Sequence, residues 1–167
     1  MNNERQLKRL VMDIQNHRAL NNRFYDLWMK QELSISQLEI FVRNHGEWIR
    51  EFPNILAVLF VNTEDWEAKI EYTETLYSEM GYGRTEKVHW KLFDSFADEL
   101  AKKLGEKKRL SRETLHEKHE LLSTTQELIE KQKKLYESDN HSKAVGAQLA
   151  LEWMAYTMLR KLYEEKI

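Results

Sequence analysis

Residues that break helices are scarce in this chain, and this limits the folds open to it more than any other feature. The 167 residues include five Gly and a single Pro, Pro53. A fold with many strands needs frequent turns, which Gly and Pro most often form. Apolar residues recur instead at helical spacing, as Leu7, Leu10 and Ile14 do. The sequence therefore predicts long helices and an all-α fold.

The apolar periodicity and the capping signals divide the chain into five helical segments. These are approximately residues 3–31 (with a break expected near 20–22), 38–61, 64–104 (interrupted at 81–83), 111–136 and 144–167. The expected N-caps of the second, third and fourth helices are Ser34 or Ser36, Thr63 and Ser111. Pro53 should kink the second helix without ending it, because the apolar pattern continues beyond it. The fifth helix is the most apolar, so we expect it to be central in a single domain spanning residues 1–167.

Composition excludes several classes of function. The 26 basic and 28 acidic residues nearly balance, and no basic tract suggests a nucleic-acid partner. The absence of Cys excludes disulfides, iron–sulfur ligation and thiol nucleophiles, and it fits a reducing compartment. Charges run through the N-terminal MNNERQLKRLVMDIQNH, which is therefore not a signal peptide, and the longest apolar run is too short to span a bilayer. We expect a cytoplasmic protein that binds neither nucleic acid nor membrane.

Three polar residues between positions 74 and 93 have the spacing of metal ligands. Glu79, Glu86 and His89 are separated by seven and three residues. On a continuous helix this spacing places them within roughly 60° of one face. Bundle proteins use the Glu-x-x-His arrangement to direct two ligands at one metal ion, and carboxylate with imidazole suits iron. The alternative is a polar seam on an amphipathic helix, and the spacing alone leaves both readings open.

Glu152 is a second anomaly, because it lies within the apolar segment QLALEWMAYTML. A carboxylate buried at the centre of such a helix is costly unless it is paired or bound to a cation. Metal ligation is one explanation. The others are a buried partner, Arg43 or Arg50, or a rotation of the helix that exposes the carboxylate.

Other ionisable residues have simpler explanations. His116, His119 and Glu113 lie on the polar fourth helix, where we expect them to be solvated. Glu47 is a further candidate for an inward carboxylate. His17 is a candidate axial ligand for haem, although a lone His near a helix end is more often structural or exposed.

Three segments together resemble a known superfamily. The first, residues 21–59, contains Phe-x-x-x-Trp, Leu-Ser-x-x-Gln-Leu and a Phe-Pro step. The second, residues 77–96, reads Glu-x-Gly-x-Gly followed by His-x-x-Leu-Phe, and the third, residues 143–163, contains Gly-Ala-x-x-Ala-x-Glu. In this order they resemble the haem-oxygenase-like superfamily, and most closely its non-haem diiron oxidases and oxygenases, often labelled iron-containing redox enzymes.

The resemblance implies a helical bundle of about five helices that binds Fe(II), two ions in a complete site, and uses O2 to oxidise a small organic substrate. The implied metal ligands are Glu79 or Glu86, His89 and Glu152. The choice between the two acids stays open, because the position seven before the histidine is Tyr82.

The same family brings a final helix with the pattern His-x-x-x-Asp-x-x-His, and the sequence up to Ile167 contains no such helix. The resemblance therefore predicts a bundle that is incomplete at its C-terminus: a truncated piece, a short protein with impaired catalysis, or a chain completed by a second copy. Exposed apolar surface on the fifth helix would then favour a homodimer or aggregation. The competing predictions are a non-catalytic bundle that binds a partner helix or an apolar ligand, and a haem-binding protein that uses His17.

Overall fold

The computed structural model describes residues 3–30, 33–106 and 110–163, and every regular element in these ranges is helical. The predicted all-α fold is thereby confirmed. Its α-helices are α1 (Asn3–Gln15), α2 (Arg23–Met29), α3 (Ile35–Asn62), α4 (Trp66–Glu79), α5 (His89–Lys103), α6 (Arg112–Leu115), α7 (Ser123–Tyr136) and α8 (His141–Tyr163). Two 3₁₀ turns, Gly81–Gly83 and Thr85–Lys87, separate α4 from α5. None of the described helices is both long and apolar enough to span a bilayer.

The chain divides into two compact units, residues 1–33 with 145–167 and residues 34–144. In the first unit, the predicted break between α1 and α2 is present, and Asn22 caps α2 by accepting from the backbone N–H of Phe24 at 3.0 Å. The fully buried Trp28 donates from its indole nitrogen to the carbonyl of Leu162 at 3.3 Å. Lys161 donates to the carbonyl of Leu20 at 2.6 Å. These bonds hold α2 and the turn before it against the end of α8.

In the second unit, α3 is the central helix and packs against α4, α5, α6 and α7. It begins at a capping box, in which the Ser34 hydroxyl accepts from the Gln37 N–H at 3.3 Å and the Gln37 side chain accepts from the Ser34 N–H at 2.9 Å. Pro53 lies inside α3, which continues beyond it as predicted. The buried apolar side chains of this unit include Leu38, Val42, Leu56, Leu59, Phe93, Ala97 and Tyr136.

The predicted cap of the third helix is wrong. Asp65 caps α4, its carboxylate accepting from the backbone N–H of Ala68 at 3.0 Å. Thr63 instead ends α3, and its hydroxyl donates to the carbonyl of Leu59 at 2.7 Å. A threonine hydroxyl can satisfy a free carbonyl at the end of one helix as readily as a free N–H at the start of the next.

The fourth helix is shorter than predicted. Ser111 caps a helix as expected, but α6 ends at Leu115 and the chain becomes helical again only at Ser123. Asn44 of α3 provides the reason, because its side-chain oxygen accepts from both the N–H of Leu122 and the hydroxyl of Thr125, each at 2.9 Å. A side chain from another helix thus replaces the intrahelical bonds that continuous helix would have formed.

Candidate metal site

The candidate ligands do not lie on one continuous helix. The predicted interruption at residues 81–83 is present and is longer than predicted, because α4 ends at Glu79, two 3₁₀ turns follow, and α5 begins at His89. The spacing of seven and three therefore does not place Glu79, Glu86 and His89 on a shared helical face. Glu86 lies in the second 3₁₀ turn, where it is exposed.

Left-handed backbone causes this interruption. Gly81, Tyr82 and Gly83 have φ values of 66°, 55° and 77°. Three successive left-handed residues end a right-handed helix. Among the described residues other than glycine, Tyr82 alone has a positive φ. Gly81 is buried, and a Cβ atom on it would lie 2.5 Å from the carbonyl carbon of Lys87. Only glycine fits there, and its close packing draws the two ends of the turn together.

Glu79 and His89 meet across this turn. Oε1 of Glu79 lies 2.9 Å from Nδ1 of His89, and the two side chains are 13% and 41% exposed. The hydrogen bond to Glu79 raises the pKa of His89 above its ordinary value, an effect that burial of the imidazole partly opposes. The turn thus brings one carboxylate and one imidazole into direct contact at the junction of α4 and α5.

Glu152 is exposed, so the structure favours the alternative in which α8 turns this carboxylate outward over the one in which it is buried. This residue lies on α8 in the first unit, whereas the other three candidates lie in the second. Its side chain is exposed and accepts a hydrogen bond from the buried amide of Gln148 at 2.6 Å. Tyr156 and Leu159, near it on the same helix, are 67% and 44% exposed, so α8 is not surrounded on most sides. The apolar residues around Glu152 in the sequence did not determine which face of α8 packs against other helices.

Arg43 and Arg50, the candidate partners of Glu152, each have a contact within the second unit. Arg43 donates to Glu47 at 2.7 Å, and both side chains are largely buried. The guanidinium of Arg50 lies over the ring of Trp90, 4.9 Å from its centroid. Glu47 therefore points inward, as a member of an ion pair with Arg43.

Carboxylate oxygen and imidazole nitrogen are donors that iron accepts, and Glu79 and His89 provide one of each. Within the residues that the structure describes, no group of three or more His, Asp and Glu side chains lies close enough to hold a metal ion. Glu79 and His89 are therefore the kinds of donor that suit iron. These two donors alone do not make a complete iron site. Glu79, Glu86, His89 and Glu152 thus stay predictions as ligands.

The sequence did not predict that the carboxylate of Glu39, on α3, is buried. Glu39 is 5% exposed, and its Oε2 lies 2.6 Å from Nζ of Lys118 and 3.0 Å from Nε2 of His119. Burial alone would raise the pKa of Glu39, but hydrogen bonds from Lys118 and His119 outweigh it and lower that pKa. The prediction that His119 is solvated is wrong, whereas His116 is exposed as predicted, and the side chain of Glu113 lies outside the described residues. Local sequence pattern offers no signal for Glu39, because its partners Lys118 and His119 lie 79 and 80 residues away in the chain.

The sequence also did not predict that the imidazole of His45 is neutral. Its ring stacks on Phe41 and Trp48 at 5.0 and 5.7 Å and meets Phe93 edge-on at 5.2 Å. Removal from water by these rings lowers the pKa of His45 to about 4. Phe93 is one helical turn after His89 on α5. The aromatic cluster of Phe41, His45, Trp48 and Phe93 therefore packs on the helix that begins at the candidate ligand.

Comparison with known proteins agrees with the resemblance read from the sequence. Residues 40–166 match a family described as iron-containing redox enzymes. A 4-aminobenzoate synthase of Chlamydia trachomatis serovar D is 32% identical over 73 residues, which cover 44% of this chain and 32% of that protein. The chain thus spans about a third of the relative's length, and no solved structure matches it significantly. Because the family match covers about three quarters of the sequence, the chain belongs to the iron-containing redox enzymes.

Proposed function

We propose that this chain binds Fe(II) and serves in the O2-dependent oxidation of a small organic molecule. The observation that carries the proposal is the 2.9 Å contact between Glu79 and His89, which lies within the stretch matched by the iron-containing family. A carboxylate held against an imidazole at the junction of two helices is a pair of donors suited to iron.

The proposed ligands are His89, with Glu79 or Glu86, and Glu152, and a complete site would hold two ions. Bound iron would supply the one-electron chemistry that dioxygen activation requires. The chain's own part is to hold the donors. Because α4 ends and α5 begins at the turn, the positions of Glu79 and His89 are fixed by backbone as well as by their mutual hydrogen bond.

The related protein suggests a first product to test. Its name states that it makes 4-aminobenzoate, and the aligned stretch covers a minority of both chains. We propose an aromatic acid or amine as the product class to test first. Assays should therefore include mass-spectrometric detection of 4-aminobenzoate beside oxygen consumption.

Iron addition followed by oxygen tests this function. Anaerobic Fe(II) and then O2 should give the wild type a visible ligand-to-metal absorption, which His89→Ala and Glu152→Ala should lose. His116→Ala is the matched control, because His116 is exposed and lies apart from the turn in the sequence. A wild type that gives no absorption and binds no iron would show that this chain is a non-catalytic helical bundle instead.

We further propose that the chain forms a homodimer through α4. Trp66, Ile70, Tyr77 and Met80 are 76%, 57%, 55% and 51% exposed. On a helix their spacing places them within roughly 80° of one face. Exposed apolar side chains that share one helical face are typical of a protein–protein contact. A second copy of the chain is the partner that the proposal commits to.

A further inference from the structure

We infer that Arg43, on the central helix α3, binds the carboxylate group of a small organic acid. Arg43 is none of the candidate metal ligands, and binding of an acid to it requires no iron. The observation behind this assignment is a guanidinium group that is almost completely buried and has an N–H group without an acceptor.

The hydrogen bonds of Arg43 occupy only part of its guanidinium. Nη1 donates to Oε2 of Glu47 at 2.7 Å, and the two side chains are 6% and 14% exposed. Nε is buried and has no hydrogen-bond partner among the residues that the structure describes. A buried N–H of a charged group is costly without an acceptor, so such a group in a native protein needs an explanation, for which a ligand is one candidate.

The geometry of a guanidinium group indicates which ligand fits. Nε–H and one N–H of Nη2 point in parallel from the same edge, which is not the edge that contains Nη1. Two parallel N–H groups match the two oxygens of a carboxylate, and arginine binds carboxylates in this bidentate manner. A single carbonyl oxygen matches only one of them. A carboxylate is therefore the ligand group that suits the unpaired Nε of Arg43.

Neighbouring charges on α3 favour a ligand with a single negative charge. Glu39 and Glu47 lie one helical turn before and one turn after Arg43. Their carboxylates would repel a phosphate group, which carries nearly two negative charges, more strongly than a carboxylate, which carries one. Glu39 is itself paired with Lys118, which weakens its repulsion of a singly charged ligand.

The segment that crosses this part of α3 is a connector without regular helix, residues 116–122 between α6 and α7. It binds α3 before and after the arginine: Lys118 donates to Glu39 at 2.6 Å, and the N–H of Leu122 donates to Asn44 at 2.9 Å. A connector held by side-chain contacts opens at a lower cost than a packed helix, and this gives an acid a route to the guanidinium. Because the arginine is 5% exposed, the ligand is a small free acid and not the C-terminus of another protein.

NMR of the arginine Nε–H groups in the metal-free protein tests this site directly. Benzoate should shift the Nε–H signal of Arg43, assigned through its own side-chain carbons, and should leave that of Arg50 unchanged. Benzamide has the same ring without the charge and should shift neither signal. If neither benzoate nor the smaller acetate shifts the Arg43 signal, or if benzamide shifts it equally, Arg43 is not a carboxylate site.

Isothermal titration calorimetry with benzoate measures the contribution of Arg43 in two matched variants. Arg43→Lys keeps the positive charge that faces Glu47 and removes the two parallel N–H groups, so it should weaken binding at least about 10-fold. Arg50→Lys, the same exchange two turns later on α3, should bind benzoate as the wild type does. Equal affinity in the wild type and a folded Arg43→Lys would overturn the assignment. If Arg43→Lys does not fold, the NMR shift in the wild type decides. These measurements use no iron, so their outcome is independent of the test of the proposed function.

Discussion

Gly81 packs so tightly on Lys87 that a Cβ atom on it would lie 2.5 Å from the Lys87 carbonyl carbon. This contact closes the turn between α4 and α5 and brings Glu79 to His89. A metal site that depends on these two side chains therefore also depends on a glycine that contributes no donor atom.

Replacing Gly81 by Ala should therefore lower the free energy of unfolding by more than the strain of a left-handed backbone alone would. Gly105 has a similar φ, 79° against 66°, but a Cβ atom on it would have no neighbouring atom within 4 Å, so Gly105 provides the matched control. Gly105→Ala should cost about 1–2 kcal/mol of unfolding free energy. Gly81→Ala should cost about 1–3 kcal/mol more, because the added methyl group must displace backbone. Urea denaturation measures both, and equal losses would show that the packing of Gly81 is unimportant.

The partly buried imidazole of His45, enclosed by aromatic rings, should make the protein sensitive to acid. Burial lowers the pKa of His45 from 6.5 to about 4, so between these values the unfolded chain binds a proton that the folded chain does not. The contribution of His45 to the free energy of unfolding is fully present above pH 6.5. It decreases by up to about 3 kcal/mol as the pH is lowered towards 4. His45→Phe keeps an aromatic ring without the titration and should flatten this dependence between pH 7 and pH 4. If the free energy of unfolding fell equally with pH in the wild type and in His45→Phe, the titration of His45 would not be the cause.

Lys118 should matter because its partner is buried. In Lys118→Ala, the carboxylate of Glu39 keeps His119 and loses its ammonium partner, so the pKa of Glu39 should rise. We expect a loss of about 1 kcal/mol at neutral pH, small because Lys118 itself is half exposed. The loss should shrink in acid, as Glu39 becomes protonated. Lys131→Ala, which breaks the fully exposed pair with Glu127, should leave stability nearly unchanged, and an equal effect of both variants would count against a special role for Glu39.

Sequence reasoning succeeded for the fold and was less complete for the site, for identifiable physical reasons. The shortage of Gly and Pro determines helix content, which does not depend on distant contacts. The break before Ser123 depends on Asn44, a residue far away in the chain, and local pattern could not reveal it. The apolar neighbours of Glu152 leave both a buried and an exposed carboxylate open, because composition does not define which face of a helix is covered. The pairing of Glu79 with His89 requires three successive left-handed residues, and glycine spacing alone indicates only an interruption.

A charge on the exposed face of α4 should abolish association if this face forms the dimer. Ile70→Glu should convert the dimer to a monomer in size-exclusion chromatography with light scattering. Leu128→Glu on α7 is the matched control, since Leu128 is similarly exposed, at 52% against 57%, and should leave the dimer intact. A wild type that is monomeric at high concentration, or a dimer unaffected by Ile70→Glu, would contradict this interface.

Anaerobic equilibrium dialysis against Fe(II), followed by metal analysis, tests the central claim most directly. The wild type and His116→Ala should retain iron, and His89→Ala should lose most of it while keeping a helical circular-dichroism spectrum. Retention of the same amount of iron by wild type and His89→Ala, or no retention by the wild type, would contradict an iron site built on His89.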